Sequence, residues 1–238
     1  MIDIINEKVN FPIENELKQL GVTKVICFVA KGWRGHVFKV RIGAKIAALK
    51  ISTQERILRE SSVLKKANAV GVGPKIYGVT KHCVAMQFIY GKRYPDFIEN
   101  TTKKNARQAV LKILKQAEKL DKVGIDHGEL SRADKHIIVR TLKARSSKLE
   151  ASSFKRPASS RVYFIDFEKG STVRKTHNFG SVLNYLLLNP YSFPARATRE
   201  KLNISLAELK RYARANTWRK EGSREKEGSW TRSWARVI

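Results

Sequence analysis

Four side chains of this 238-residue chain stand where their chemistry needs a reason. Lys50 lies in the apolar run 45–51. Strand alternation puts it on one face with Ile46 and Ala48, while Ala47, Leu49 and Ile51 take the other. A lysine so enclosed needs a partner. Glu60 lies three residues after Ile57 and four before Leu64, so on a helix it interrupts the inward stripe Ile57, Ser61, Leu64 and Ala67; Glu55 lies off that stripe. Asp166 directly follows the β-formers Tyr163, Phe164 and Ile165. A carboxylate there is costly to bury alone, and a magnesium ion bridging phosphates is a partner of the right kind. Glu129, in His127-Gly128-Glu129-Leu130, is a carboxylate able to accept a hydroxyl proton. An enclosed ammonium, a hard-cation carboxylate and a proton acceptor are parts that phosphate chemistry uses.

The elements that must carry these groups are legible from period and punctuation. Strands are predicted over 24–31, 36–42, 45–51, 75–79 and 83–89, with Gly32 to Gly35 and Gly43-Ala44 as turns. Ser52-Thr53 can cap the helix bearing Glu60, and Gly71-Val72-Gly73-Pro74 ends it. Thr101 or Thr102 opens a second helix with the buried stripe Ala106, Val110, Ile113, Leu114, Ala117 and Leu120, closed by Gly124. Strands at 137–139 and 162–165 bracket a serine-rich insertion, 140–161, with seven basic residues against Glu150 alone. It reads as an exposed, mobile loop. A helix at 178–188 stops at Asn189-Pro190. The capping-box spacing of Ser205 and Glu208 predicts a further helix to about residue 215.

In chain order, over about 29–188, this set resembles the protein-kinase superfamily. Ala30-Lys31-Gly32-Trp33-Arg34-Gly35-His36-Val37 is similar to the glycine-rich loop, with Ala30 in place of its first glycine; a plain hairpin turn reads the same way. Ala48-Leu49-Lys50 is similar to the lysine strand, and Met86-Gln87-Phe88-Ile89-Tyr90-Gly91 to the hinge. The resemblance implies that Gly32, Gly35, Val37, Ala48, Met86 and Phe88 contact ATP. It implies that Lys50 neutralises the phosphates, held by Glu60, and that Asp166 binds Mg2+. Ile165-Asp166-Phe167-Glu168 resembles the D-F-G element with Glu168 where glycine is usual. His127-Gly128-Glu129-Leu130 resembles the H-G-D-L loop of RIO-type and KEOPS-complex kinases, with Glu129 at the base position. Glutamate there displaces the carboxylate by about one bond length, a shift able to cost ~10²-fold in rate. The second metal ligand falls on Asp134 or His136. Aspartate is the harder ligand, while His136 stands just before the strand, where the family asparagine stands. The short span after Asp166, without an A-P-E motif, is also similar to these minimal kinases and to an archaeal family of predicted Ser/Thr kinases with H-G-E-L loops.

The resemblance implies an α+β, two-lobed protein-kinase-like fold. A β-rich N-lobe would cover 1–90, a mainly helical, truncated C-lobe 91–193, and a basic extension 194–238. The implied activity is transfer of the ATP γ-phosphate to a Ser/Thr hydroxyl, including the protein's own. Two alternatives stay open: an ATP-binding or ATP-hydrolysing switch on an RNA–protein assembly, and a small-molecule kinase. Lys and Arg number 48 against 21 Asp and Glu, a formal charge of +27. Such a field attracts polyanions, so RNA or a ribonucleoprotein is an expected partner; solubility or a lysine-rich genome is the plainer source of the charge. Trp218, Trp230 and Trp234 either stack on RNA bases or pack back on the fold. Cys27 and Cys83 lie in strand-like runs and read as buried, reduced thiols. No run approaches the ~20 apolar residues of a membrane span, and residues 1–10 lack a signal pattern, so a cytoplasmic location is expected.

Overall fold

The computed structural model describes residues 3–9, 11–32, 35–142, 159–217 and 230–238. The chain divides into two compact units, residues 1–90 with 165–174, and residues 91–164 with 175–238. No helix among the described residues is long and apolar enough to cross a membrane.

The first unit is built on an antiparallel sheet of five strands in the order β1-β2-β3-β5-β4. They are β1 (Val22–Lys31), β2 (His36–Ile42), β3 (Lys45–Ile51), β4 (Ile76–Val79) and β5 (Cys83–Gln87). Alternation divides β3 as its pattern requires. Ala47, Leu49 and Ile51 join a core with Phe38, Val40, Cys83 and Ala85. That face is closed by α1 (Asp3–Asn6) and α2 (Glu14–Gln19), through Ile5, Val9, Ile13, Leu17 and Leu20. Glu16 of α2 ties them to the β4–β5 turn. It accepts hydrogen bonds from the Thr80 hydroxyl (2.5 Å), the His82 backbone N–H (2.8 Å) and His82 Nδ1 (2.7 Å). Burial opposes the Glu16 charge, but these donors outweigh it and hold the carboxyl below its ordinary range.

The opposite face carries Lys50, paired across the sheet with Val37 and Val84, and Ala48, paired with Met86. Helix α3 (Gln54–Ala69) buries Ile57, Glu60, Ser61, Val63, Leu64 and Ala67. It starts after Thr53, whose side chain makes no capping hydrogen bond. Cys83 is buried, and burial with Glu16 nearby pushes its thiol up to about 12. Cys27 is exposed, contrary to the reading of both thiols as buried. It lies on edge strand β1, where a register shift between Val25 and Cys27 breaks the alternation.

The second unit opens with β6 (Lys92–Arg93) and α4 (Tyr94–Glu99), followed by the long α5 (Lys103–Lys122). Thr102 caps α5 by accepting from the Asn105 N–H at 3.3 Å, and every residue of the expected stripe is buried. A 3-10 helix (Leu130–Lys135) leads into β7 (Ile137–Leu142), which pairs with β6 and with β8 (Ser159–Phe164). The expected 140–161 loop is thus partly strand; its residues 143–158 lie outside the described residues. The helix expected over 178–188 is α6 (Asn178–Leu183) running into a π-helical turn (Asn184–Leu188). Two proline-opened helices, α4 and α7 (Phe193–Leu202), were not expected. The buried face of α7 is Pro194, Ala195, Thr198 and Leu202, too short and mixed to register as an apolar period.

Helix α8 (Leu206–Thr217) begins with the expected capping box. The Glu208 N–H donates to Ser205 Oγ at 3.1 Å, and the Ser205 N–H to the Glu208 carboxylate at 3.0 Å. The last element, α9 (Trp230–Trp234), is docked on α5. Buried Glu118 accepts from the Trp230 N–H (3.0 Å), the Thr231 N–H (3.4 Å) and the Thr231 hydroxyl (2.6 Å). Arg107 donates to the Ala235 carbonyl at 2.8 Å, and the Tyr212 hydroxyl to the Ser233 carbonyl at 2.6 Å. Trp234 is buried with its ring edge-on to Tyr212, so it is no stacking platform for RNA bases; Trp230 is partly exposed against Phe179. Trp218 lies outside the described residues.

Candidate active site

In the first unit, Lys50 gathers the carboxylates. Its ammonium lies 2.7 Å from Glu60 Oε2, 2.8 Å from Asp166 Oδ1 and 3.3 Å from Glu168 Oε2. Burial works against the ammonium, but Glu60 and Asp166 outweigh it and hold Lys50 above the ordinary lysine range. Burial pushes the Glu60 carboxyl up to about 7; Lys50 opposes this, and Asp166 and Glu168 add to it. The two groups are shifted toward their protonated forms by different causes, Glu60 chiefly by its burial and Lys50 by the carboxylates around it.

The segment following β8 is aimed by Phe167. Its ring is fully buried, and a Cβ at Gly73 would lie 2.7 Å from Leu64 Cδ1 and 3.0 Å from Phe167 Cε2. Gly73 (φ +81°) therefore leaves the space that Phe167 fills. With Phe167 turned inward, Asp166 and Glu168 on either side both reach Lys50. Asp166 itself has φ +66°, a conformation that costs a non-glycine residue of order 1 kcal/mol or more and persists where its surroundings enforce it.

Val37, Ala48, Lys50 and Met86 are brought onto one face of the sheet. Phe88 lies just beyond β5, edge-on to Tyr90, with the Lys39 ammonium 4.8 Å from its ring centroid. At the β1–β2 turn the Gly32 N–H donates to the Gly35 carbonyl at 2.8 Å. A Cβ at Gly35 would lie 2.7 Å from the Ile51 carbonyl oxygen, so this glycine lets the hairpin close on the end of β3. Trp33 and Arg34 lie outside the described residues.

The second unit holds the His127-Gly128-Glu129 loop. Asp121, at the end of α5, accepts from the N–H groups of Asn178 (3.0 Å) and Phe179 (2.8 Å) and so caps α6. The Asn178 side chain in turn accepts from the His127 N–H at 2.9 Å and donates to the Ile125 carbonyl at 2.6 Å. Neither Asp121 nor Asn178 was singled out in the sequence. Their separations from the loop follow no local period, and the only trace is an acid at a helix end and an asparagine at a helix start. Glu129 lies 3.9 Å from His136 Nε2. Asp134 instead accepts from the Tyr185 hydroxyl at 3.2 Å, and burial with that carboxylate raises the Tyr185 phenol. Of the two alternatives for the second metal ligand, His136 stands beside Glu129.

Residues 37–133 match the RIO domain family. An uncharacterized protein of Methanocaldococcus jannaschii is 29% identical over 125 residues, 52% of this chain and 90% of that one. The KEOPS complex subunit Bud32 of Pyrococcus abyssi is 28% identical over 117 residues, 48% of this chain. Part of the chain is thus similar to the RIO domain and to the KEOPS subunit Bud32. Its likeness to Bud32 spans 44% of that protein, so the match is to part of it. A structure of the Rio2 kinase–ADP/Mg2+–phosphoaspartate complex from Chaetomium thermophilum superimposes with TM-score 0.55 at 12% identity, covering 95% of this chain and 65% of that one. The fold is α+β and protein-kinase-like, as expected. The RIO match takes in Lys50, Glu60 and Glu129 and stops before Asp134, His136, Asp166 and Glu168.

Proposed function

We propose that this chain is an ATP- and magnesium-dependent phosphotransferase that acts on protein Ser/Thr hydroxyls, its own included. The observation that carries the reading is the enclosed Lys50, held at once by buried Glu60 and by Asp166. An ammonium kept protonated and aimed by a buried acid is suited to orient phosphate oxygens. The two partly exposed carboxylates beside it, Asp166 and Glu168, are hard oxygen donors of the kind magnesium prefers, so the donor set fits the ion. When bound, magnesium neutralises phosphate charge.

In this reading Lys50 holds the α- and β-phosphates, Glu60 holds Lys50, and Asp166 carries the metal, with His136 or Asp134 as a further ligand. Val37, Ala48, Met86 and Phe88 contact the nucleoside, and the backbone at Gly32 and Gly35 faces the phosphates. Glu129 accepts the acceptor hydroxyl's proton as its oxygen bonds the γ-phosphorus and the bond to ADP breaks. The ADP and magnesium named in the Rio2 complex support the choice of nucleotide and metal.

The test is incubation of purified protein with magnesium and γ-labelled ATP, alongside Lys50→Ala and Asp166→Ala. Wild type is expected to bind ATP and transfer label to protein, and each variant to lose about 10²-fold or more of the transfer rate. ATP binding without transfer refutes the phosphotransferase assignment and leaves a binding switch. Absence of ATP binding refutes the site.

A further inference from the structure

We infer that Glu168 is a second divalent-cation ligand, so that one short segment, Asp166-Phe167-Glu168, supplies both protein carboxylates to the metal. This rests on the reading under Proposed function and goes beyond it, because the residue at this position in the motif it resembles is glycine, which has no side chain to offer.

Three observations lead there. First, one ammonium is shared. Lys50 lies within 3.3 Å of Glu60, Asp166 and Glu168. Glu60 is 2% exposed and sits closest to Lys50, whereas solvent reaches Asp166 and Glu168, so these two are the carboxylates open to a divalent cation. Second, the spacing suits a single ion. One ligand oxygen from each of Glu60, Asp166 and Glu168 lies within 4.8 Å of the others. Oxygens at ~2.1 Å from one magnesium ion are about 4.2 Å apart at most, so a small side-chain rotation closes the set. Buried Phe167 holds the residues on either side in this relation. Third, the residues that sequence order offers as the second ligand suit magnesium less well. Asp134 is engaged by Tyr185, and His136 is an imidazole, a poor magnesium ligand.

The contacts of Lys50 also fit a handover. Its bond to Glu168 is the longest of the three. Phosphates drawing on the ammonium would leave Glu168 part-buried without a counter-ion, which is costly unless a cation replaces it.

The experiment uses the full chain, a β,γ-imido ATP analogue and Mn2+ as the spin probe, with Mn2+ binding followed by electron paramagnetic resonance. Glu168→Gln, which keeps size and removes charge, is compared with Asp134→Asn and His136→Ala. Metal-free analogue affinity is measured in parallel. Expected are a rise in the Mn2+ dissociation constant of about tenfold or more for Glu168→Gln, because ligand charge sets affinity, and a smaller rise for each of the other two. Metal-free analogue affinity should be unchanged or tighter in Glu168→Gln, which also shows that the variant is folded. Wild-type Mn2+ affinity in Glu168→Gln, with analogue binding intact, overturns this inference and leaves the kinase reading standing. A larger loss in His136→Ala or Asp134→Asn than in Glu168→Gln overturns it too. Failure of wild type to bind the analogue overturns the kinase reading and this inference with it.

Discussion

Glu118→Ala should release the C-terminal helix without unfolding the second unit. Glu118 is 5% exposed, and its carboxylate accepts from two backbone N–H groups at the start of α9 and from the Thr231 hydroxyl, and pairs with Lys122 at 3.5 Å. Hydrogen bonds to a charged group are worth about 1.5–3 kcal/mol each, which would total several kcal/mol if all three were simply lost. The true cost is capped, because residues 230–238 can detach and rehydrate those donors instead of leaving them buried. The cap is the docking free energy of a short segment anchored by Trp234, Ile238, the Arg107–Ala235 bond and the Tyr212–Ser233 bond. We expect a loss of about 2–4 kcal/mol for Glu118→Ala and about 1 kcal/mol for Glu118→Gln, which keeps an acceptor oxygen. Urea denaturation gives the stabilities, and amide hydrogen exchange locates the change. Exchange should accelerate in 230–238 and, because Asp121 lies one turn further along α5 and caps α6, more weakly in 125–136 and 178–183. A Glu118→Ala loss below about 0.5 kcal/mol, or exchange unchanged in 230–238, would refute the reasoning.

Gly35→Ala should weaken both hairpin closure and ATP binding, since its Cβ meets the Ile51 backbone oxygen at 2.7 Å, whereas Gly32→Ala meets nothing closer than 3.5 Å and should fold normally. Thermal melts and nucleotide titration of the two variants check the contrast. Glu16→Gln tests a pH dependence. The native Glu16 carboxyl is held below its ordinary value, so its stabilisation is present above that ordinary value, near 4.5, and is lost as pH falls through the native one. Between pH 7 and pH 3 wild type should therefore lose more stability than Glu16→Gln, as read from denaturation midpoints across that range.

Much of the candidate site was legible because its signals are local. The alternation of 45–51 placed Lys50 opposite the core-facing residues, and the helical stripe turned Glu60 inward; both are short-period patterns within one element. The Ser205 capping box is local in the same way. Where local patterns were weak or broken, the reading failed. Cys27 faces solvent because a bulge interrupts an edge strand. The proline-opened helices α4 and α7 carry no clear apolar period, α7 because its buried face is short and includes the polar Thr198. Ile5, Val9, Ile13, Leu17 and Leu20 close one side of the sheet, but they are spread over two short helices and the links between them, so no single period marks them.

By itself the amino-acid sequence determined the kinase-like fold class, the order of the strands and helices that carry Lys50 and Glu60, and which face of its element each would take. Only the tertiary structure decided that Glu168 shares Lys50 with Asp166, that Asp134 turns to Tyr185 while His136 stands by Glu129, and that Glu118 holds the chain's last helix. Those pairings between distant elements join residues separated by as many as 118 positions. No repeat of 2 or 3.6 residues extends that far; such partners are chosen by which buried charges and donors would otherwise go unsatisfied once the elements pack.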